Sequence, residues 1–122
     1  MPAAGSRELE VHEEVTDQIR LVSLHGTLDM ETAPTLEELL AGGASDPSRP
    51  LVVDLVECEF MDSVGLAVLL QGAKPLQNGE ANVAFVVADG PVRKLLALTA
   101  VDRTIPTFET RSEAYASVLD PG

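Results

Sequence analysis

A run of six residues, 51–56, limits most strongly what this chain can fold into, because all of them are apolar except Asp54. A strand that alternates apolar and polar side chains leaves one face in water, whereas a continuously apolar strand needs cover on both faces. Such strands lie at the centre of parallel sheets that have helices packed on each side. The run therefore predicts an α/β fold with this strand in its interior.

The rest of the chain supplies further strands and helices for such a sheet. Two apolar segments near the start are close enough to pair as a hairpin, and Gly26 is predicted to end the second of them. The predicted strands cover residues 9–15, 19–24, 51–56, 82–88 and 104–108, the last at a sheet edge because Pro106 cannot donate to a ladder. The predicted helices run from Thr32 or Thr35 to about Ala41, from Asp62 or Ser63 to a point before Pro75, from Pro91 onward, and over 112–119, with a loop over 42–50.

The predicted element order is ββαβαβαβα. Strands that alternate with helices indicate a mixed, mostly parallel sheet with an N-terminal hairpin and with helices after the later strands. The length of 122 residues leaves room for one domain, which we expect to span residues 1–122 with a core over about 8–119.

Charge excludes two classes of partner. Asp and Glu total 20 against 8 Lys and Arg, which gives a formal net charge of −12. Nucleic acids and anionic membrane surfaces are both bound through Lys and Arg, so we expect neither as a partner. The longest apolar run, residues 64–70, is far shorter than the ~20 residues of a membrane span. With no hydrophobic signal segment at the start and one cysteine, the chain is expected to be cytoplasmic.

No arrangement of side chains in the sequence indicates catalysis. His12 and His25 have no nucleophile and acid that the sequence places beside them. Cys58 has no spaced Cys or His partner for a metal, and the residues that follow it lack the glycines and arginine of a phosphate-binding loop. We therefore expect a protein that is not an enzyme, holds no metal, and uses Cys58 as a packing residue.

Asp54 is open to two interpretations. A buried strand that carries an aspartate is reminiscent of the phosphate-accepting strand of a receiver domain. Such a site needs a second acidic pair to hold magnesium, and no adjacent acidic pair follows the strand over residues 19–24. The favoured interpretation is an aspartate at a strand end that bonds to neighbouring backbone.

The segment from Phe60 to Leu66 is the most informative part of the chain. It lies where a strand region changes to a helix, and either Asp62 or Ser63 is suited to cap that helix. The segment lacks the leading glycine of a hydrolase nucleophile elbow, which makes an esterase a poor interpretation. From the residues alone, the segment is a helix cap.

Four segments in the same order resemble the STAS domain of the anti-sigma factor antagonist family. They are Gly26-Thr27-Leu28-Asp29 with Thr32-Ala33-Pro34, then residues 51–55, residues 60–66 and residues 91–96. The family pattern Asp-Ser-Ser-Gly has a phosphorylated serine directly after the aspartate, and that serine corresponds to Ser63. The chain departs from the family pattern at Val64, which replaces the second serine, and at Ala100, which replaces a glycine.

The resemblance implies a partner-switching module. Its unphosphorylated form would bind an anti-sigma factor, which would then release a sigma factor. The anti-sigma factor would also be a serine kinase that uses ATP, and a separate phosphoserine phosphatase would reverse the reaction. This implies Ser63 as phosphoacceptor and no cofactor on this chain. The implied partner-binding residues are Asp29, Thr32, Met61, Asp62, Val64 and Gly65.

Two alternatives stay open at this point. The chain could be a STAS scaffold that docks on a transporter or signalling assembly without phosphorylation, with Ser63 only a cap. The receiver-like phosphoaspartate at Asp54 ranks third. For the partner-switching interpretation, we predict that Asp29 and the loop over residues 62–65 lie at one end of the sheet, since functional loops gather at the carboxyl ends of parallel strands.

Overall fold

The computed structural model describes residues 8–43, 49–78 and 82–119. Within these residues the elements follow in the order ββαββαβαβα, six strands and four helices, with a short 3₁₀ turn at Val101–Arg103. The strands are β1 (Leu9–Val15), β2 (Arg20–Leu28), β3 (Leu51–Asp54), β4 (Cys58–Met61), β5 (Val83–Val86) and β6 (Thr107–Phe108). The helices are α1 (Ala33–Gly43), α2 (Ser63–Asn78), α3 (Pro91–Leu98) and α4 (Arg111–Leu119).

All six strands form one mixed sheet in the order β1-β2-β3-β5-β6, with β4 paired to β2. β1 and β2 are the antiparallel hairpin, and every other pair is parallel. All four residues of β3 are buried, as the apolar run predicted. The predicted fold class, a small α/β domain with an N-terminal hairpin and a mostly parallel sheet, is confirmed.

The strands bury side chains on both faces. One face packs against α1, α2 and α3 through a cluster that includes Val22, Leu24, Val53 and Phe85. The opposite face packs against α4 through a smaller cluster. Because β2, β3 and β5 contribute to both clusters, no helix layer can be removed without exposing the sheet.

The sequence prediction missed β4 and ended β2 too early. Gly26 adopts a left-handed φ of 110°, yet β2 continues through it to Leu28. The amide of Gly26 donates to the carbonyl of Glu57 at 3.1 Å, so strand pairing resumes beyond the end of β3. Here β4 pairs with β2, and the register shifts after Gly26. Glycine at this position forms a bulge instead of a strand end.

Other boundaries also differ from the prediction, and β3 and β5 are each shorter than predicted, at Leu51–Asp54 and Val83–Val86. α2 continues past Pro75 to Asn78, although proline lacks the amide proton that an interior helical position donates. α1 extends to Gly43, and residues 44–48 of the predicted loop lie outside the described residues. The strand expected over residues 104–108 is confined to β6, at the predicted sheet edge.

Asp54 has a structural role that the sequence partly predicted. One carboxylate oxygen accepts the amide of Val56 at 2.9 Å, which is the expected strand-end contact. The other accepts Nε of Arg111 at 2.6 Å, and the same guanidinium donates to the hydroxyl of Ser23 at 3.1 Å. The bond to Asp54 raises the pKa of Arg111 above its ordinary value. Since one oxygen of Asp54 holds the backbone after β3 and the other ties α4 to the sheet, the geometry disfavours a phosphoaspartate there.

Ala100 holds a backbone conformation that favours glycine. Its φ is 61° and its ψ 18°, and it follows the last residues of α3. A left-handed conformation costs a residue with a Cβ about 1–2 kcal/mol. We expect Ala100→Gly to raise the free energy of unfolding by about 1 kcal/mol, measured by urea denaturation.

The matched control for this prediction is Ala97→Gly, which changes the same residue type at an exposed position inside α3. There, glycine should lower the free energy of unfolding by about 1 kcal/mol. If both substitutions destabilise the protein equally, Ala100 is not strained.

Candidate functional site

The site lies where β2 and β4 end. These strands are parallel, and Leu28 and Met61 form their last pair. The turn from β2 into α1 and the turn from β4 into α2 therefore leave the sheet at the same end. The prediction that Asp29 and the loop over residues 62–65 share one end of the sheet is confirmed.

Asp62 joins the two turns and caps α2. Its Oδ1 accepts the amide of Gly65 at 2.7 Å, which is the bond of a helix N-cap. Its Oδ2 accepts the amide of Met30 in the other turn at 3.3 Å, and its own amide donates to the carbonyl of Leu28 at 3.1 Å. Of the two candidate caps that the sequence left open, the structure therefore selects Asp62.

Ser63 is the first residue of α2, and its side chain is exposed. Within the part of the chain that the structure describes, no side chain or backbone group bonds to its hydroxyl. The amides of a first helical turn have no partner within the helix, and they favour a negative group nearby. Ser63 thus presents a hydroxyl to solvent at a helix start, while its neighbour supplies the cap.

The turn that contains Asp29 is held by its own side chains. Asp29 is only 1% exposed, and its Oδ1 accepts the amides of Glu31 at 2.9 Å and Thr32 at 3.1 Å. The hydroxyl of Thr32 accepts the amide of Asp29 at 2.9 Å and donates to the carbonyl of Thr27 at 2.8 Å. Asp29 and Thr32 therefore fix the shape of this turn.

Gly65 allows α2 to approach the end of β2. A Cβ on Gly65 would lie 2.5 Å from the carbonyl oxygen of Leu28 and 2.7 Å from its Cγ. Met61 is also buried, and it belongs to the core on the face of the sheet that α1, α2 and α3 cover. Gly65 and Met61 therefore support the Ser63 loop from the interior of the domain.

The predicted partner-binding residues therefore fall into two groups. Val64 is 42% exposed and Asp62 is half-buried, whereas Asp29, Thr32, Met61 and Gly65 are buried. The buried four shape the loop in the free domain, and their contact with a partner stays a prediction.

Sequence reasoning missed two exposed apolar residues at the same site, Met30 and Phe60. Both residues have neighbours in the sequence that could have identified them as exposed residues of the site. Met30 directly follows Asp29 in the turn. Phe60 directly precedes the buried Met61 in β4, and because side chains alternate along a strand, Phe60 points to the face of the sheet opposite to Met61.

The remaining candidates for catalysis or metal binding are Cys58, His12 and His25. Cys58 is buried, and burial raises the pKa of its thiol, as suits a packing residue. His12 and His25 lie edge-to-face on the hairpin with ring centroids 4.9 Å apart. Among the described ranges 8–43, 49–78 and 82–119, no group of three or more His, Cys, Asp or Glu side chains is arranged to hold a metal ion. None of the helices in those ranges is long and apolar enough to cross a membrane.

The two turns of the site carry charges of one sign. The sequence contains no Lys or Arg between Arg20 and Arg49, and none between Arg49 and Lys74. The two turns of the site lie within these stretches and carry carboxylates, of which Glu31 is exposed. A negative group added at Ser63 would therefore meet no cation from its own turns.

Comparison with known proteins agrees with this geometry. The STAS domain family model matches residues 9–114. Anti-sigma-F factor antagonist RsfB of Mycobacterium tuberculosis is 34% identical over 101 residues, which cover 82% of this chain and 81% of that protein. The crystal structure of an anti-sigma factor antagonist from Mycobacterium paratuberculosis is 33% identical, covers 98% of this chain and 100% of that one, and superposes with a TM-score of 0.86.

A more distant structure agrees in fold alone. It is the Bacillus cell fate determinant SpoIIAA in its phosphorylated form, which is 17% identical, covers 88% of this chain and 96% of that one, and has a TM-score of 0.65. The family-model match spans most of the chain, and the mycobacterial relatives are 33% and 34% identical to it over the aligned residues. The chain therefore belongs to the STAS-domain family of anti-sigma factor antagonists.

Proposed function

We propose that this protein is a phosphorylation-controlled anti-sigma factor antagonist. Its unphosphorylated form binds an anti-sigma factor, which releases a sigma factor. The serine-kinase activity of that anti-sigma factor phosphorylates Ser63, which ends binding, and a phosphoserine phosphatase restores it. The protein acts by binding and not by catalysis, and it works in the cytoplasm, where sigma factors meet RNA polymerase.

The observation that carries this proposal is the position of Ser63. The side chain is exposed at the first residue of α2, while Asp62 provides the cap through the amide of Gly65. A hydroxyl that the fold does not use can be modified without loss of the helix. The mycobacterial relative at 34% identity is an anti-sigma-F factor antagonist, and SpoIIAA has a phosphorylated form.

The folded domain should tolerate phosphate at Ser63. Phosphorylation adds about −1.5 to −2 charges and three acceptor oxygens. At a helix start, free amides and the helix dipole both favour a negative group. The added group also points into solvent, because Ser63 is exposed in the free domain.

The same phosphate should oppose binding. The carboxylate of Asp62 is held by the amides of Gly65 and Met30, so it cannot turn away from a new neighbouring charge. The two turns carry no Lys or Arg that would compensate. A partner that covers this loop would have to remove water from both charges. A penalty of about 1.4 kcal/mol already weakens binding tenfold.

The test is phosphorylation of the purified protein by the anti-sigma factor with ATP, followed by intact mass measurement and site mapping. We expect one added phosphate on Ser63 and none in Ser63→Ala. An unmodified wild-type protein that still binds its partner would favour the scaffold function. A hydroxylamine-labile phosphate on Asp54 would favour the receiver-like alternative.

A further inference from the structure

Three exposed apolar side chains lie in the two turns of the site or next to them. Met30 is 67% exposed, Phe60 44% and Val64 42%. Met30 lies in the turn from β2 into α1, and its backbone amide donates to the carboxylate of Asp62. Val64 directly follows Ser63 in α2. Phe60 lies two residues before Asp62 and pairs in register with Thr27 of β2. We call these three residues the apolar triad.

The apolar triad differs from other exposed apolar residues in its grouping. Single exposed apolar side chains are common and need no explanation, whereas groups of them mark binding surfaces. The remaining large examples among the described residues lie on other elements: Val15 at the end of β1, Val56 between β3 and β4, Leu98 at the end of α3 and Leu119 at the end of α4.

We propose that the apolar triad inserts into an apolar pocket of the anti-sigma factor and provides most of the strength of the complex. This inference rests on the proposed function, and it adds the chemistry of the partner's surface. Interface strength generally comes from a few desolvated apolar anchors, with charged residues at the rim. Val64, which replaces the second serine of the family pattern, is then a residue that determines partner specificity.

Charge defines the rim of the same surface. Glu31 and Glu59 are exposed beside the apolar triad, and the turns contain no Lys or Arg. The matching rim on the partner should therefore be basic. Rim charges act mainly on the association rate, and buried anchors act mainly on the dissociation rate. Salt should slow association, whereas loss of the triad should speed dissociation.

An apolar pocket also accounts for the direction of the switch. A basic rim alone would attract phosphate at Ser63 and strengthen the complex. In an apolar pocket, a phosphate on Ser63 would instead be forced against apolar surface, where it loses water and gains no cation. An apolar centre of the interface therefore adds to the weakening of binding by phosphorylation.

Surface plasmon resonance with the immobilised anti-sigma factor tests the proposal. The variant is Met30→Ser with Val64→Ser, and both positions are exposed, so the fold should persist, as thermal melts will check. The matched control is Val15→Ser, because Val15 is 52% exposed and pairs with Arg20 at the opposite end of β2. We expect at least tenfold faster dissociation for the double variant, an unchanged association rate, and wild-type kinetics for the control.

If the double variant dissociates no faster than Val15→Ser, the proposal that the apolar triad anchors the complex is wrong. Measuring Ser63→Asp in parallel separates this failure from failure of the proposed function. If Ser63→Asp weakens binding while the double variant does not, the triad is wrong and the switch stands. If neither variant affects binding, the partner does not use this end of the sheet, and both proposals fail.

Discussion

Replacing Ser63 by Asp is expected to weaken binding to the anti-sigma factor at least tenfold and to leave the domain folded. A carboxylate at the first position of α2 is favourable in the free domain, because it faces the amides of the helix start. In the complex, it must lose water beside the fixed carboxylate of Asp62. A carboxylate carries less charge than a phosphate, so the loss of affinity should be smaller than that caused by phosphorylation.

Ser63→Ala is the matched control for this change. Since Asp62 and not Ser63 caps the helix, the alanine variant should lose less than about 0.5 kcal/mol of stability and keep wild-type affinity. Calorimetric titration of the three proteins against the anti-sigma factor measures the difference. Equal affinities for serine, alanine and aspartate at this position would mean that Ser63 lies outside the interface.

The largest expected effect on stability belongs to Gly65→Ala. A methyl group there would lie 2.5 Å from the carbonyl oxygen and 2.9 Å from the carbonyl carbon of Leu28. Leu28 cannot move away easily, because its carbonyl accepts the amide of Asp62 and it is the last residue of β2. Overpacking of this kind costs about 1–3 kcal/mol, and backbone contacts belong at the upper end.

Helix propensity makes this prediction sharper, because alanine favours a helix over glycine by about 1 kcal/mol. We therefore expect the free energy of unfolding, measured by urea denaturation, to fall by about 2 kcal/mol even though alanine is the better helix former. Ser63→Ala, in the same helical turn, supplies the control and should show almost no loss. An unchanged or raised stability of Gly65→Ala would show that α2 does not approach β2 as closely as described.

The apolar pattern of the chain predicted most of the fold. The run over residues 51–56 identified the central strand because it needs cover on both faces, and the alternation of strands and helices indicated a parallel sheet. The hairpin and all four helices followed from periodicity. β4 did not, because only Cys58 and Met61 of its four residues are buried and because its partner lies beyond the bulge at Gly26.

The candidate site could be predicted in position but not in detail. The order of the turns placed Asp29 and Ser63 at one end of the sheet. Sequence could not reveal that Asp29 faces its own turn, since the bonds to Glu31 and Thr32 depend on local backbone geometry. It also could not decide between Asp62 and Ser63 as the cap, because both residue types are good N-caps and only the contact with Gly65 distinguishes them.

The measurement that tests the central claim most directly compares the unmodified protein with the same protein carrying phosphate on Ser63. Both forms are titrated calorimetrically against the anti-sigma factor, after thermal melts establish that both are folded. We predict that phosphorylation weakens binding by more than the tenfold expected for Ser63→Asp, because the phosphate carries about twice the charge. Equal affinity of the two folded forms would contradict the switch.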